Sequence, residues 1–389
     1  MFWKINFESI KKDTNFFAKL NNNNEIVNLN EIISTFEAET EGGKKHTWFR
    51  LFDDYIEFLD QRFLPVKENW VKCRDEKEVA YAIREMIVRG APAIGISAAF
   101  GVVYGVKKRL QNKVKITPDV FSDITTELER TRPTAFNLKK ALSDMEEEFH
   151  NFVEISSLDN QDELLQRLTD RAIKIWFYDF MYCYLIGKFG AELIKDDSVV
   201  FTICNTGSLA TGGWGTAFSA IRFANRIGKK IEVIALETRP FLQGSRLTAW
   251  ELMQNKIPFH IIVDSSAAFS ISQMKRKGKD ICCVVGADRI LKDGTTANKI
   301  GTFTLAISSK YFDVPFYVLA PSTTIDNVSE KIPIEERNPK EVREFFGVRV
   351  LPDDVPVFNF AFDIMPPDLI SAIVTEKGIF RYPYDFSQL

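Results

Sequence analysis

The chain reads as an α/β protein: a doubly wound parallel sheet in its C-terminal half, and a smaller, mostly helical N-terminal half with a few short strands. Three observations predict this. Beyond Lys195, continuous apolar runs alternate with helix-length segments. Between Thr117 and Ile194 apolar residues recur at three- and four-residue spacing, and short strand-like runs are confined to the stretch from Trp48 to about Phe100. Strands that are apolar without alternation are buried on both faces, which requires helices on either side of a parallel sheet.

The elements follow in order. An asparagine-rich turn, "KLNNNNEIVNLNE" (19–31), lies near the start. "WFRLFDDYIEFLDQRFLP" supplies short strands and "EKEVAYAIREMIVRG" a helix. "VFSDITTEL", "AFNLKKALSDMEEEF" and "ELLQRLTDRAIKIW" carry helical periodicity. The second half then offers "SVVFTIC" (198–204), "IEVIAL" (231–236), "FHIIVD" (259–264), "DICCVVGAD" (280–288) and "VPFYVLAP" (314–321) as strands. "GWGTAFSAIRFANRIG", "GSRLTAWELMQNK", "AFSISQMKRKG" and "NKIGTFTLAISSKYF" are the helices between them. The composition change places the division between 1–194 and 195–389. No internal repeat is visible.

A length of 389 residues suits two domains, each with its own core. The formal net charge of -3 gives no global reason to expect nucleic acid or an anionic membrane as partner. The opening "MFWKINFESIKKDTNFF" has no apolar core of a secretion signal, and "IWFYDFMYCYLIGKFG" (175–190) carries Asp179 and Lys188 and falls short of a membrane span. Five cysteines with no CxxC pair, and three histidines none of which neighbours a cysteine, argue against disulfides and a zinc site. A cytoplasmic protein with reduced thiols is the expectation.

In open α/β sheets, ligands bind outside the carboxyl ends of the strands. Those ends here are Cys204-Asn205, Glu237-Thr238-Arg239, Asp264-Ser265-Ser266, Asp288-Arg289 and Pro321-Ser322, so polar groups gather on one edge. After Cys204 come Gly207, Gly212, Gly213 and Gly215 ahead of a helix. Glycine permits close backbone approach, and free amides at a helix start attract phosphate. The same turn is also a plain strand-to-helix connection, and its spacing fits neither Walker A nor GxGxxG, so no nucleotide cofactor is implied. Arg89 with the amides of Gly90 and Ala91 combines charge and hydrogen bonds suited to a phosphate, or else caps a closely packed helix. Asp288 is a turn residue or, if apolar surroundings raise its pKa, a general acid. Asn298 and Lys299 stand just before a helix, either to bind substrate hydroxyls or phosphate or as ordinary solvated loop residues. Gln243 and Arg246 open another helix, where capping is the plain alternative. Cys204 taken alone reads as a small buried hydrophobe.

Together "RGAPAIG", "RPTAFNL", "CNTGSLATGGWGTA", "ETRPFLQGSRLTAWEL", "VGADRI", "ANKIGTFTLA", "IPIEERNPKEV" and "FDIMPPDLISAIVTEKG" resemble the methylthioribose-1-phosphate isomerase family. These are methionine-salvage enzymes related to the α, β and δ subunits of translation initiation factor 2B. The motifs run in order from "LDQRFLP" (59–65) to about Gly378. The resemblance implies a Rossmann-like C-terminal domain, a homodimer, and catalysis without metal or cofactor. It marks Cys204 and Asp288 as the catalytic pair, and Arg89, Gly90, Ala91, Arg132, Gln243, Asn298 and Lys299 as phosphosugar-binding residues. The implied substrate is 5-methylthioribose 1-phosphate, with 5-deoxyribose 1-phosphate or ribose 1,5-bisphosphate as alternatives. A non-catalytic sugar-phosphate or nucleotide sensor is the rival of a different class; the regulatory relatives lack the cysteine–aspartate pair. Three features depart from the pattern: "DSSAA" (264–268) where relatives often read "DNMAA", the aromatic helix at 175–190, and residues 1–45, which have no recognised counterpart.

Overall fold

A computed structural model describes residues 29–40, 48–133, 135–156, 159–334 and 336–386. These form two compact units. The first holds the described residues up to Met181 together with Ser208–Gly213; the second holds Tyr182–Gly207 and the described residues from Trp214 onward.

In the first unit, α1 (Leu29–Thr40) precedes an antiparallel sheet of β1 (Phe49–Leu51), β2 (Ile56–Leu59) and β3 (Trp70–Cys73), with β2 central. Then come α2 (Glu76–Arg84), α3 (Ala91–Gln111), α4 (Pro118–Glu129), α5 (Phe136–Ile155) and α6 (Gln161–Glu192). Asp75 starts α2 by accepting the amides of Lys77 and Glu78, which would otherwise lack partners. Helix α3 is buried at every residue from Ala93 to Val106 and is the spine of the unit. Its small residues permit this: a Cβ on Gly95 would stand 2.7 Å from the Asn137 carbonyl at the start of α5. Helix α6 is continuous from Gln161 to Glu192, and the compact units divide within it rather than at its end. Composition changes only after Ile194, where the helix has finished, so a boundary drawn from composition falls later than the change of packing partner.

Two of the sequence oddities meet here. Phe36 of α1 is fully buried, with ring centroids 4.7, 5.2 and 4.9 Å from those of Trp176, Phe177 and Phe180. The aromatic face of α6 therefore receives part of the N-terminal extension. The rest of that extension, and most of the asparagine-rich turn, lies outside the described residues.

The second unit is built on a seven-stranded sheet. Its strands are β4 (Ser198–Thr202), β5 (Ile231–Leu236), β6 (Phe259–Ile262), β7 (Asp280–Val285), β10 (Phe316–Leu319), β15 (Ala372–Thr375) and β16 (Gly378–Phe380). They lie in the order β6-β5-β4-β7-β10-β15-β16, and every neighbouring pair is parallel except β15–β16. Helices α7 (Ala217–Arg226), α8 (a π turn at Gly244–Thr248 continued by Ala249–Gln254), α9 (Ala267–Arg276) and α10 (Thr302–Tyr311) connect them. All five strands expected from the apolar runs are present. Val199, Phe201 and Ile203 enter one core cluster and Val200 the other, so β4 has both faces covered.

A smaller four-stranded sheet was not expected. Its strands are β8 (Arg289–Leu291), β9 (Thr296–Lys299), β11 (Ile325–Asp326) and β14 (Phe362–Met365), in the order β11-β8-β9-β14. Asn298 and Lys299 lie in β9, not in a loop. This short polar strand is paired with the neighbouring β8 on one side and with β14, from distant sequence, on the other. Among the described residues no helix is long and apolar enough to cross a membrane.

Candidate active site

The direction in which the main sheet adds strands reverses at β4 and β7: β5 and β6 lie to one side, β10 and β15 to the other. At such a switch point the connections leave in opposite directions and open a crevice at the carboxyl edge. Cys204 follows β4 and Asp288 follows β7. The register aligns Phe201 with Cys283, which brings Cys204 into step with Gly286, two residues before Asp288. A Cβ on Gly286 would stand 2.8 Å from Thr206 Cγ2, so the two strand exits pack closely.

Cys204 is buried, at 8% exposure, and has a left-handed backbone with φ 68°. Its N–H donates to Thr238 Oγ1 at 2.9 Å, and its carbonyl accepts from Thr248 Oγ1 at 2.5 Å. Thr238, also left-handed at φ 67°, donates its hydroxyl to the Leu236 carbonyl at 3.0 Å. The Asp264 carboxylate accepts the Thr238 and Arg239 amides at 2.8 and 2.7 Å. Burial and the nearby Asp264 carboxylate push the Glu237 carboxyl above its ordinary pKa.

Asp288 departs from expectation in one respect. Its amide bonds the Ala297 carbonyl at 2.9 Å, but its side chain is exposed. The apolar residues before it face into the sheet, whereas Asp288 stands where the chain turns out toward β8. Apolar surroundings for this carboxyl are therefore not supplied by its own strand.

The glycine-rich turn also differs from a bare phosphate cradle. The Gly212 amide is engaged by Asp179, the Gly213 amide by Thr211 Oγ1, and the Thr211 amide by the Ser208 carbonyl. Side chains hold the carbonyls too: Gln61 donates to that of Leu209 at 2.8 Å, Trp48 to that of Thr211 and Trp176 to that of Gly212, both at 2.7 Å. Gly207 is needed for close approach, since a Cβ there would run into the buried Glu251 carboxylate. Glu251 in turn accepts from Asn205 Nδ2 at 2.8 Å.

Gln243, at the start of α8, is buried, and its Oε1 has no hydrogen-bond partner; the buried Oδ1 of Asn205 is likewise unpartnered. Asn298 donates to Thr302 Oγ1 at 3.1 Å. Lys299 is buried, bonds the Ala361 carbonyl at 2.9 Å and lies 4.5 Å from the Phe362 ring centroid. Asp363, paired in register with Asn298, accepts the Gly301 amide at 2.7 Å, and burial pushes its carboxyl pKa up to about 6. A Cβ on Gly301 would lie 3.0 Å from Ile203 Cδ1, the residue before Cys204. A cavity of ≈ 400 Å³ follows the β5 exit, walled by Arg239, Phe241, Leu242, Phe345 and Phe346 among others.

Of the expected residues, Cys204, Asp288, Gln243, Asn298 and Lys299 belong to the second unit, and the rest to the first. There Gly90, at φ 102°, precedes α3, and Ala91 is its first residue. A Cβ on Gly90 would stand 2.5 Å from Ala210 Cα. Arg89 Nη1 is buried without a hydrogen-bond partner. Arg132 lies between α4 and α5, its carbonyl accepting the Ala135 amide at 2.9 Å. Sequence reading missed the roles of Thr238, Thr248, Glu251, Asp264 and Asp363. Thr238 and Asp264 were visible as polar strand ends; nothing in the sequence signalled the others.

An α/β chain with polar groups converging at a strand-order reversal belongs to a ligand-binding class, and comparison gives the family. The chain belongs to the initiation factor 2 subunit family, whose model matches residues 87–382. It is 48% identical over 335 residues to the methylthioribose-1-phosphate isomerase of Thermotoga petrophila, covering 85% of this chain and 94% of that one. The solved 5-methylthioribose 1-phosphate isomerase of Pyrococcus horikoshii matches with a TM-score of 0.80 at 36% identity, over 89% of this chain and 95% of that one. The delta subunit of translation initiation factor eIF-2B from A. fulgidus matches with a TM-score of 0.74, also at 36% identity, over 86% and 96%.

Proposed function

We propose that this chain is an aldose–ketose isomerase converting 5-methylthioribose 1-phosphate to 5-methylthioribulose 1-phosphate, as its relatives are named to do. Cys204 and Asp288 are the catalytic pair in this reading. The observation that carries it is their position at the carboxyl ends of adjacent strands, where the strand order reverses. We read the second unit as a Rossmann-like domain because its parallel strands have that fold's order. The reading includes a cytoplasmic homodimer.

The chemistry explains the pair. A sugar phosphorylated on its anomeric oxygen cannot open its ring by losing the anomeric hydroxyl proton. Instead the C1–O4 bond must break with a proton delivered to O4. Asp288 donates that proton. Asp288 is exposed in the free chain, so bound substrate displaces water from it before the proton passes. The hydrogen on C2 then moves to C1 while the O2 proton is lost, leaving the ketone. Cys204 acts there, either as the base that makes an enediol-type intermediate or as a stabiliser of the cation during hydride transfer. In D2O the hydride route keeps the substrate hydrogen on C1, and the enediol route exchanges it.

Binding follows from unpartnered groups. The buried oxygens of Gln243 and Asn205 lack donors, which sugar hydroxyls are, and the buried Nη1 of Arg89 lacks an acceptor, which a phosphate is. Gly90, Ala91, Arg132, Asn298 and Lys299 complete the set. The test offers purified protein 5-methylthioribose 1-phosphate, 5-deoxyribose 1-phosphate and ribose 1,5-bisphosphate and follows ketose formation. Cys204→Ala and Asp288→Asn should each lower turnover by roughly three orders of magnitude or more while the fold survives. Tight phosphosugar binding without turnover of any of the three would instead make the chain a sensor.

A further inference from the structure

We propose that Thr238 is a positioning residue for Cys204, in a relay anchored by Asp264. This rests on the reading of Cys204 as catalytic. The relay crosses three neighbouring strand ends: Asp264 follows β6, Thr238 follows β5, and Cys204 follows β4. The carboxylate of Asp264 takes two consecutive amides, those of Thr238 and Arg239. This fixes the turn in which Thr238 holds its left-handed backbone, a conformation that strongly disfavours β-branched residues.

The hydroxyl then sets the direction. Its proton goes to the Leu236 carbonyl, so its oxygen is left to accept, and what it accepts is the Cys204 N–H. Thr248 secures the other side of the same residue by donating to the Cys204 carbonyl. Cys204 is thus gripped at both its amide and its carbonyl, in a backbone conformation that an L-residue keeps only when its surroundings over-determine it. The angle at which the thiol leaves the strand follows from that grip. Two threonine hydroxyls on one non-glycine residue, one of them in a turn held by a carboxylate, exceed what closing the strand requires.

Thr238→Val is isosteric but can neither accept the Cys204 amide nor donate to Leu236. With 5-methylthioribose 1-phosphate as substrate, it should lower kcat by about tenfold or more and leave KM within about threefold, because the thiol is misdirected while the binding groups stay in place. Thr238→Ser keeps the hydroxyl and should hold kcat within about threefold of the parent. Asp264→Asn, which retains only one of the two acceptors, should also lower kcat rather than raise KM. The proposal is overturned if the valine variant keeps kcat within about twofold, or if serine falls as far as valine. Should the valine variant not fold, the serine and Asp264→Asn variants decide by the same kcat-against-KM split. If the parent turns over none of the three phosphosugars, the functional reading fails and the relay is read independently. In that case the rate of iodoacetamide labelling at Cys204, resolved from the other cysteines by peptide mass, should change about threefold or more in Asp264→Asn. An unchanged rate overturns the relay.

Discussion

Replacing Phe36 by alanine tests whether the N-terminal extension is a structural part of the first unit. The ring is fully buried and meets three aromatic rings of α6 at 4.7–5.2 Å. Truncating a buried phenylalanine costs about 3–5 kcal/mol, from lost transfer energy and the cavity left behind. Aromatic pairing adds roughly 0.5–1.5 kcal/mol per pair, though three pairs sharing one ring do not simply add. Helix α1 then retains Ile32 and Ile33 as its buried apolar contacts, so its docking rather than the core of the unit bears most of the loss. The expected result is about 3 kcal/mol less stability in urea unfolding followed by tryptophan fluorescence, with faster amide exchange concentrated in residues 29–40. A loss below about 1 kcal/mol with unchanged exchange in that segment would refute the packing argument.

Two further outcomes are expected. Arg89→Ala should raise KM for the phosphosugar by roughly 10- to 100-fold, the worth of a charge-assisted hydrogen bond, with little effect on urea stability because the buried Nη1 bonds no protein acceptor; steady-state kinetics within twofold of the parent would remove it from the phosphate site. Burial raises the Asp363 carboxyl to about 6, above its unfolded value of roughly 3.9, so its stabilising contribution is complete below about pH 4 and lost as pH rises through 6. Relative to Asp363→Asn, the parent should lose at most about 3 kcal/mol in urea unfolding between pH 4 and 7.5, and parallel pH curves for the two proteins would contradict the shift.

The main sheet was legible because its strands are buried on both faces, and burial on both faces writes an uninterrupted apolar run into the sequence. Val199 to Ile203 could be little else. The smaller sheet was hidden for the converse reason. β9 reads Thr-Ala-Asn-Lys, with no apolar signature, and its ladder is completed by Phe362–Met365, more than sixty positions away, on the side opposite β8. Lys299 looked like a solvated loop residue on the same ground, yet the Ala361 carbonyl and the Phe362 ring receive it inside the fold. The relay behind Cys204 was half visible. Thr238 and Asp264 stood out as polar strand ends, but which hydroxyl meets which amide depends on lateral strand order, and that is not local information.

Asp288 marks the remaining limit of reading an environment from chain neighbours. Val284 and Val285 are fully buried, and an aspartate three residues on would have to share their dry surroundings to be a general acid by burial alone. Apolar residues within β7 project into the two layers of helices, whereas Asp288 lies beyond Val285, where the chain turns out toward β8. Position at the carboxyl edge does not by itself decide burial: Cys204 and Thr238 are buried there and Asp288 is exposed. In the proposed mechanism the cover that makes Asp288 a general acid arrives with the substrate, so proton delivery is confined to the occupied site.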